Sequence, residues 1–354
     1  MKRGKDQTTV STAKRVGAGL GAILLFVFAL ELMKSGANGL TPLLRGHLHI
    51  EHAADCLGLG WLMACVVLSG SPAAAIAMVL LSTETLTQVQ TFTMVTGSRL
   101  GASFIVLMLG FLYALRGHEP WTVLSTGVLS LILTASVQLL ALPVGLFILK
   151  QGWLGAFRLP WLTGLSTGIN AILDPVMRPA TALLPQWALS IVGAGLITFS
   201  FQLFDKALPQ LRFEKAGLHQ TSRLIYRPIV MFFLGLLVTL LTLSVSVSIG
   251  ILVPLSARGY VRRENIMPYI LGANISTMID TLVAAVLLGT PPAVTVVVAH
   301  MVSATIVSIP IVALAYEPYK RLMSYALEWT IASRRNFGIF LGVFFLIPVA
   351  LILS

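Results

Sequence analysis

The stretch Thr242-Leu-Ser-Val-Ser-Val-Ser-Ile-Gly-Ile-Leu252 sets Ser244, Ser246 and Ser248 at alternate positions in an otherwise apolar run. Alternation with period two marks a half-buried strand, yet the preceding Met231-Phe-Phe-Leu-Gly-Leu-Leu-Val-Thr-Leu-Leu241 is continuous and unpatterned, as in a membrane helix. Hydroxyls placed there need a local reason. Whether the segment crosses a membrane or turns back inside it decides the fold.

Composition sets the frame. With 354 residues, 56% of them hydrophobic and 10% charged, and a mean hydropathy of +0.90, the chain has too little polar surface for a soluble globule. Apolar runs near the roughly 20 residues needed to cross hydrocarbon recur from residue 16 onward, whereas a barrel would show short alternating segments. The class is all-α and polytopic. A net charge of +11 comes from Lys and Arg gathered in short loops, where they set orientation in the bilayer rather than bind nucleic acid. Cys56 and Cys65 lack the paired spacing of a zinc or redox site and are read as packing residues. The basic start followed by Val16-Gly-Ala-Gly-Leu20 has the form of a signal peptide, but an internal repeat argues that this helix is kept.

That pentapeptide recurs as Val192-Gly-Ala-Gly-Leu196, an offset of 176. Leu68-Ser-Gly-Ser71 faces Leu243-Ser-Val-Ser246, and Gly97 faces Gly272, at 175. Each match is weak in an apolar sequence; a near-constant offset over many residues is the stronger signal. The basic cluster precedes the shared helix in the first half (Lys2, Arg3, Lys5, Lys14, Arg15) and follows it in the second (Lys206, Arg212, Lys215, Arg223, Arg227). Positive loops stay in the cytoplasm, so the two helices are expected to cross in opposite directions, as in inverted-repeat transporters.

The same rule treats the opening stretch. Basic residues flank 229–256 on both sides, the second group lying in Ala257–Asn265, so the segment is expected to enter and turn back as a re-entrant hairpin. Its counterpart covers 53–82 and enters from the opposite side. The tips would then meet, Ser69 and Ser71 facing Ser244 and Ser246. Seven full spans are expected at 16–34, 91–115, 121–147, 185–204, 266–290, 293–316 and 337–354. The chain divides into a cytoplasmic N-terminal segment (1–15), repeat 1 (16–147), a proline-broken extracytoplasmic connection (148–184), repeat 2 (185–317), and a cytoplasmic linker with a last span (318–354).

Hairpin tips offer free N–H groups, helix termini and hydroxyls that replace the hydration shell of a small ion. Serines in apolar helices also serve simply to bond back to the preceding turn. Gly272-Ala-Asn-Ile-Ser-Thr277, matched by Gly97-Ser-Arg-Leu-Gly-Ala102, opens a span with small and polar residues; Asn274 and Thr277 are candidate cation ligands or helix–helix bonds. Arg99 stands where the second half has Asn274. Charge inside a span is costly, and four roles stay open for Arg99: an anion clamp, a fixed charge in place of a sodium ion, a structural ion pair, or a snorkelling side chain. Asp280 is open to pairing with Arg99, coordinating a cation or accepting a proton. Glu31 and Lys34 read as an i,i+3 pair. His47, His49, His52, Glu51 and Asp55 read as a solvated loop, and His300 as a packed histidine.

These features together resemble the type II sodium/phosphate cotransporter family and its bacterial relatives, whose inverted halves each carry a Gln-Ser-Ser-Ser hairpin followed by a Gly-Ala-Asn-Ile-Gly-Thr-like segment. The resemblance spans about 16–145 and 190–315. It implies that Ser69, Ser71, Ser244, Ser246, Gly272, Asn274 and Thr277 correspond to residues that bind phosphate and sodium there. Leu68 and Leu243 replace both glutamines, Gly70 and Val245 the middle serines, Arg99 the first-half asparagine and Ser276 a glycine.

The sequence therefore reads as a multi-pass protein of the inner membrane, N-terminus cytoplasmic, that moves a small inorganic anion, phosphate first, coupled to sodium by alternating access. Ser69, Ser71, Ser244, Ser246 and Arg99 would hold the anion, and Asn274, Thr277 and Asp280 the cation. No resident cofactor is expected, nor enzyme activity, since no zinc-protease motif, nucleophile elbow or paired catalytic carboxylates occur. A transport-inactive membrane sensor or assembly partner on the same scaffold is the alternative, and a homo-oligomer is left open.

Overall fold

A computed structural model describes residues 3–47, 50–117, 119–154, 173, 175–207, 227–250, 252 and 263–354. It is almost entirely helical: α1 (Arg3–Gly36), α2 (Ala53–Val67), α3 (Gly70–Ser82), α4 (Gln88–Ala102), α5 (Phe104–Leu115), α6 (Pro120–Gln151), α7 (Gln186–Ala207), α8 (Pro228–Thr242), α9 (Val245–Gly250), α10 (Arg263–Ser276), α11 (Ile279–Leu287), α12 (Pro291–Ala313), α13 (Tyr316–Ile331) and α14 (Arg334–Leu353). Another short helix covers 175–183.

Among the described residues seven stretches are long and apolar enough to cross a membrane: Gly17–Leu40, Gln88–Leu115, Val123–Gln151, Gln186–Leu203, Glu264–Leu287, Pro291–Ala313 and Arg334–Leu353. Each matches one expected span. The protein is a multi-pass helical membrane protein. α2, α3 and α8, at 15, 13 and 15 residues, reach about 20–22 Å and fall short of the roughly 30 Å of hydrocarbon.

Three boundaries differ from expectation. The basic N-terminal segment continues α1, which begins at Arg3. α6 runs on to Gln151, past the expected limit at 147, while 155–172 lie outside the described residues. The linker expected from 318 is the amphipathic helix α13, which buries Met323, Leu327 and Thr330 and exposes Leu322, Tyr325 and Trp329. Tyr319 ties it to Ser136 of α6 at 2.6 Å, and the Tyr316 hydroxyl donates to the Glu264 carbonyl at 2.5 Å. Burial pushes the Tyr319 phenol up to about 12, so it keeps its proton at neutral pH.

One offset organises the helices. α2 and α8 begin and end 175 residues apart (228 − 53 and 242 − 67). Both stop at a leucine in the left-handed region, Leu68 at φ 55° and Leu243 at φ 48°, again 175 apart. That conformation costs a non-glycine residue about 1–3 kcal/mol and persists only where the surroundings impose it. α3 and α9 begin at the same offset, as do α4 and α10, and the kink at Ser103 between α4 and α5 corresponds to the Thr277–Met278 kink between α10 and α11.

Glycine makes the packing possible at matching places. A Cβ on Gly60 would strike the Met94 carbonyl and one on Gly97 the Leu57 carbonyl; a Cβ on Gly235 would strike Tyr269 and one on Gly272 would strike Phe232. All four pairs transpose by 175, and in each the backbones touch because no side chain stands between them. Gly97 lies on Leu57 and Gly101 on Trp61, so α2 runs parallel to α4 and α3 carries the chain back to where α2 began. Gln90 beside the start of α4 donates to the Glu51 carbonyl at 2.7 Å, which closes that return. α8 and α10 repeat the α2–α4 glycine contacts at the offset of 175. α1 and α7, which hold the repeated pentapeptide, instead pack antiparallel: Met33 lies against Gly193, Gly36 against Ser190, and the rings of Phe26 and Phe201 meet at 5.0 Å.

Candidate functional site

The kinks bring the charged residues together. Arg99 ends α4 and Asp280 opens α11, so each charge sits at the helix end whose dipole favours it, the cation at a C-terminus and the anion at an N-terminus. Both are buried, Arg99 at 4% exposure and Asp280 at 8%. The snorkelling option for Arg99 is thereby ruled out.

Their link runs through threonines. Arg99 Nη1 donates to Thr277 Oγ1 at 3.2 Å and Nη2 to Thr281 Oγ1 at 3.3 Å. Thr281 in turn donates to Asp280 Oδ1 from its hydroxyl at 3.0 Å and from its backbone N–H. The other carboxylate oxygen, Oδ2, accepts from the Ser71 hydroxyl at the start of α3. One chain of hydrogen bonds thus joins α3 and α4 of the first half to α10 and α11 of the second. Gly70 lets α3 approach: a Cβ there would lie 2.7 Å from the Ser98 carbonyl and 3.3 Å from Arg99 Cζ.

The remaining expected site residues divide. Asn274 pairs with Thr134 of α6 at 3.4 Å rather than with the charged chain. Ser69 caps α3 in extended conformation, and its amide donates to Ala64 O at 3.1 Å. Ser244 is buried just after the Leu243 break, where its carbonyl accepts from Thr242. The Ser246 side chain lies outside the described residues. Ser71 is bonded to Asp280, since the α11 kink puts that carboxylate over the first turn of α3. Ser248 bonds Thr239 and Tyr269 and holds its own helices together.

The secondary expectations resolve simply. Lys34 and Glu31 pair at 3.5 Å. Of the residues read as a solvated loop, Asp55 is instead buried in α2, where it accepts from the amides of Glu51 and His52 and fastens the start of the helix; His52 is exposed, and His49 lies outside the described residues. Cys65 packs on the Gly101 carbonyl.

Sequence reading missed two contributors, Thr281 and a polar stripe on α6. Thr281 is the bridge between the charges. Thr126, Ser130, Thr134 and Gln138 form an i,i+4 polar stripe on α6, all buried; that spacing in an apolar span was the available signal. α6 runs antiparallel to α4–α5, with Gly127 on Leu107 and Gly145 on Phe92, so Gln138 lies near the level of Arg99. His300, against Phe92 at 5.5 Å, lies within electrostatic reach of Arg99. Both polar atoms of Gln138, both nitrogens of His300 and Nε of Arg99 are buried with no protein hydrogen-bond partner. Buried polar atoms left unpaired in this way cost about 1–3 kcal/mol each.

A cavity of about 280 Å³ reaches Asp280 between α1 and α7, walled by Ala22, Phe26, Ser200, Phe201, Leu243 and Val283. Compared with family models, curated proteins and solved structures, the chain finds no match in any of the three. The class defined by fold and site is a multi-pass helical membrane protein with a buried arginine–aspartate relay at its centre.

Proposed function

We propose that this chain is a secondary active transporter of a small oxyanion, inorganic phosphate first among candidates, working by alternating access in the inner membrane. α2–α3 and α8–α9 are its two re-entrant hairpins, and the halves are inverted repeats. The antiparallel α1 and α7 and the offset of 175 support that topology. The single observation that carries the function is the buried relay from Arg99 through Thr281 to Asp280 and Ser71, which spans both halves. A guanidinium with one unpaired N–H, hydroxyls from a hairpin tip and neighbouring unpaired amide and imidazole groups are the donors an oxyanion uses in a dry site.

Transport is coupled to a cation. The family resemblance implies sodium, with Asn274, Thr277 and Asp280 as its ligands and Arg99 in place of one sodium ion in the first half, whereas Asn274 is bonded to Thr134 and stands apart from the other two. Proteoliposomes loaded with purified protein test this. Wild type should accumulate radiolabelled phosphate down an imposed cation gradient, and Arg99→Ala should abolish it. Failure to take up any oxyanion would favour the second reading, a transport-inactive sensor or assembly partner. The pairing of Thr277, Thr281, Asp280 and Ser71 with one another is what speaks for that alternative.

A further inference from the structure

We propose that the coupling ion is the proton and that Asp280 carries it. This rests on the transport reading above. In the site as it stands, Asp280 is surrounded by hydrogen-bond donors: the Ser71 hydroxyl, the Thr281 hydroxyl and the Thr281 N–H. One hydroxyl further away lies the Arg99 guanidinium, which also occupies an acceptor position on Thr277. A metal cation needs several oxygen lone pairs turned toward it. Here the lone pairs of Thr277 and Thr281 face Arg99, and the cavity that reaches Asp280 offers Ser200 as the other polar side chain among otherwise apolar walls. A proton needs no such shell.

The charges then balance without sodium. With the anion absent, Asp280 is ionised and is the internal counter-ion of Arg99. An oxyanion entering at Arg99 takes over that duty, and a carboxylate left beside it would repel it. Asp280 gains one proton, the charge of the site stays at zero, and the new carboxyl O–H is a donor while Ser71 is freed to turn to the anion. On the other side the anion leaves and Asp280 releases the proton to the same compartment. One monoanion and one proton thus cross together. Among the described residues the charged group that faces Asp280 is Arg99 from α4; α3 carries no titratable residue, and the residues of α1 and α7 that wall the cavity are uncharged. Arg99 keeps its charge throughout.

The test uses the full chain in liposomes, with proton and sodium gradients imposed separately and pH low enough on both sides that phosphate stays a monoanion. An acid-outside gradient with no sodium should drive phosphate accumulation of about tenfold per pH unit. An entrapped pH dye should report proton entry that appears with phosphate, and membrane potential should leave the plateau unchanged. Asp280→Asn, a permanent stand-in for the protonated form, should lose gradient-driven accumulation and show phosphate counterflow that no longer varies with pH; counterflow itself certifies that the variant folds. Uptake driven by sodium and indifferent to the pH gradient would overturn proton coupling while leaving transport standing. Phosphate entry in wild type without dye acidification would overturn it too, whatever the variant does. No uptake of any oxyanion by wild type would remove the transport reading and this inference with it.

Discussion

Gly70 and Arg99 fit each other. A Cβ at residue 70 would press on Arg99 Cζ from 3.3 Å, so the long side chain is accommodated because the hairpin position is bare. The second half reverses the sizes, with Val245 and Asn274 at the same offset. Gly70→Ser is therefore expected to destabilise by about 1–3 kcal/mol through overpacking, chiefly on the Ser98 carbonyl 2.7 Å from the added Cβ, so that the Arg99→Asn background relieves only a minor part of the loss. Thermal unfolding of the two single variants and the double should show that most of the Gly70→Ser loss remains without Arg99, and full rescue by Arg99→Asn would contradict the close approach to the Ser98 backbone. Arg99→Ala alone leaves Asp280 without its counter-ion and should cost about 3–5 kcal/mol, a loss that Asp280→Asn relieves. In the resemblance reading, Arg99→Asn should increase the sodium dependence of uptake. Arg99 and Asp280 were legible in the sequence because charge inside an apolar span stands out. Their bridge was not, since Thr281 is an ordinary helix threonine until the kink at 277–278 aims it at Arg99.

At the scale of elements, the broken helices carry the account. Leu68 and Leu243 stop their helices in the same left-handed conformation, and four glycines let α2 lie on α4 and α8 on α10 with backbones touching. Gly60→Ala, Gly97→Ala, Gly235→Ala and Gly272→Ala should each lower thermal stability, about 1–3 kcal/mol apiece, because the obstructing atom is a backbone carbonyl that cannot move aside. Gly21→Ala and Gly338→Ala meet nothing within 4 Å and should be neutral or slightly stabilising. An equal effect at all six positions would refute the close packing. Spans and breaks were readable from apolar run lengths and from the constant offset. The α13 helix was not, because a polar, proline-containing stretch after a span reads as a linker until Tyr316 and Tyr319 are seen to anchor it. The α6 stripe was missed for a similar reason: small hydroxyls at i,i+4 scarcely lower the hydropathy of a long apolar helix.

At the scale of the molecule, the proposal is that two equivalent halves face opposite ways and close a polar centre between them. The charge pattern of the loops suggested it, and the opposed packing of α1 and α7 supports it. The loops that report sidedness, 220–227 and 257–265, include residues outside the described set: 227 and 263–265 are described, 220–226 and 257–262 are not. Orientation is thus a matter for direct measurement. Single cysteines placed in Gln220–Arg227, in Ala257–Asn265 and in Ser82–Thr87 of a cysteine-free protein should be labelled by an impermeant reagent added to one side of the membrane at a time. The account predicts that the first two react from the same face, the cytoplasmic one, and the third from the opposite face. Labelling of Gln220–Arg227 and Ala257–Asn265 from different faces would mean that the chain between them crosses, and would contradict it.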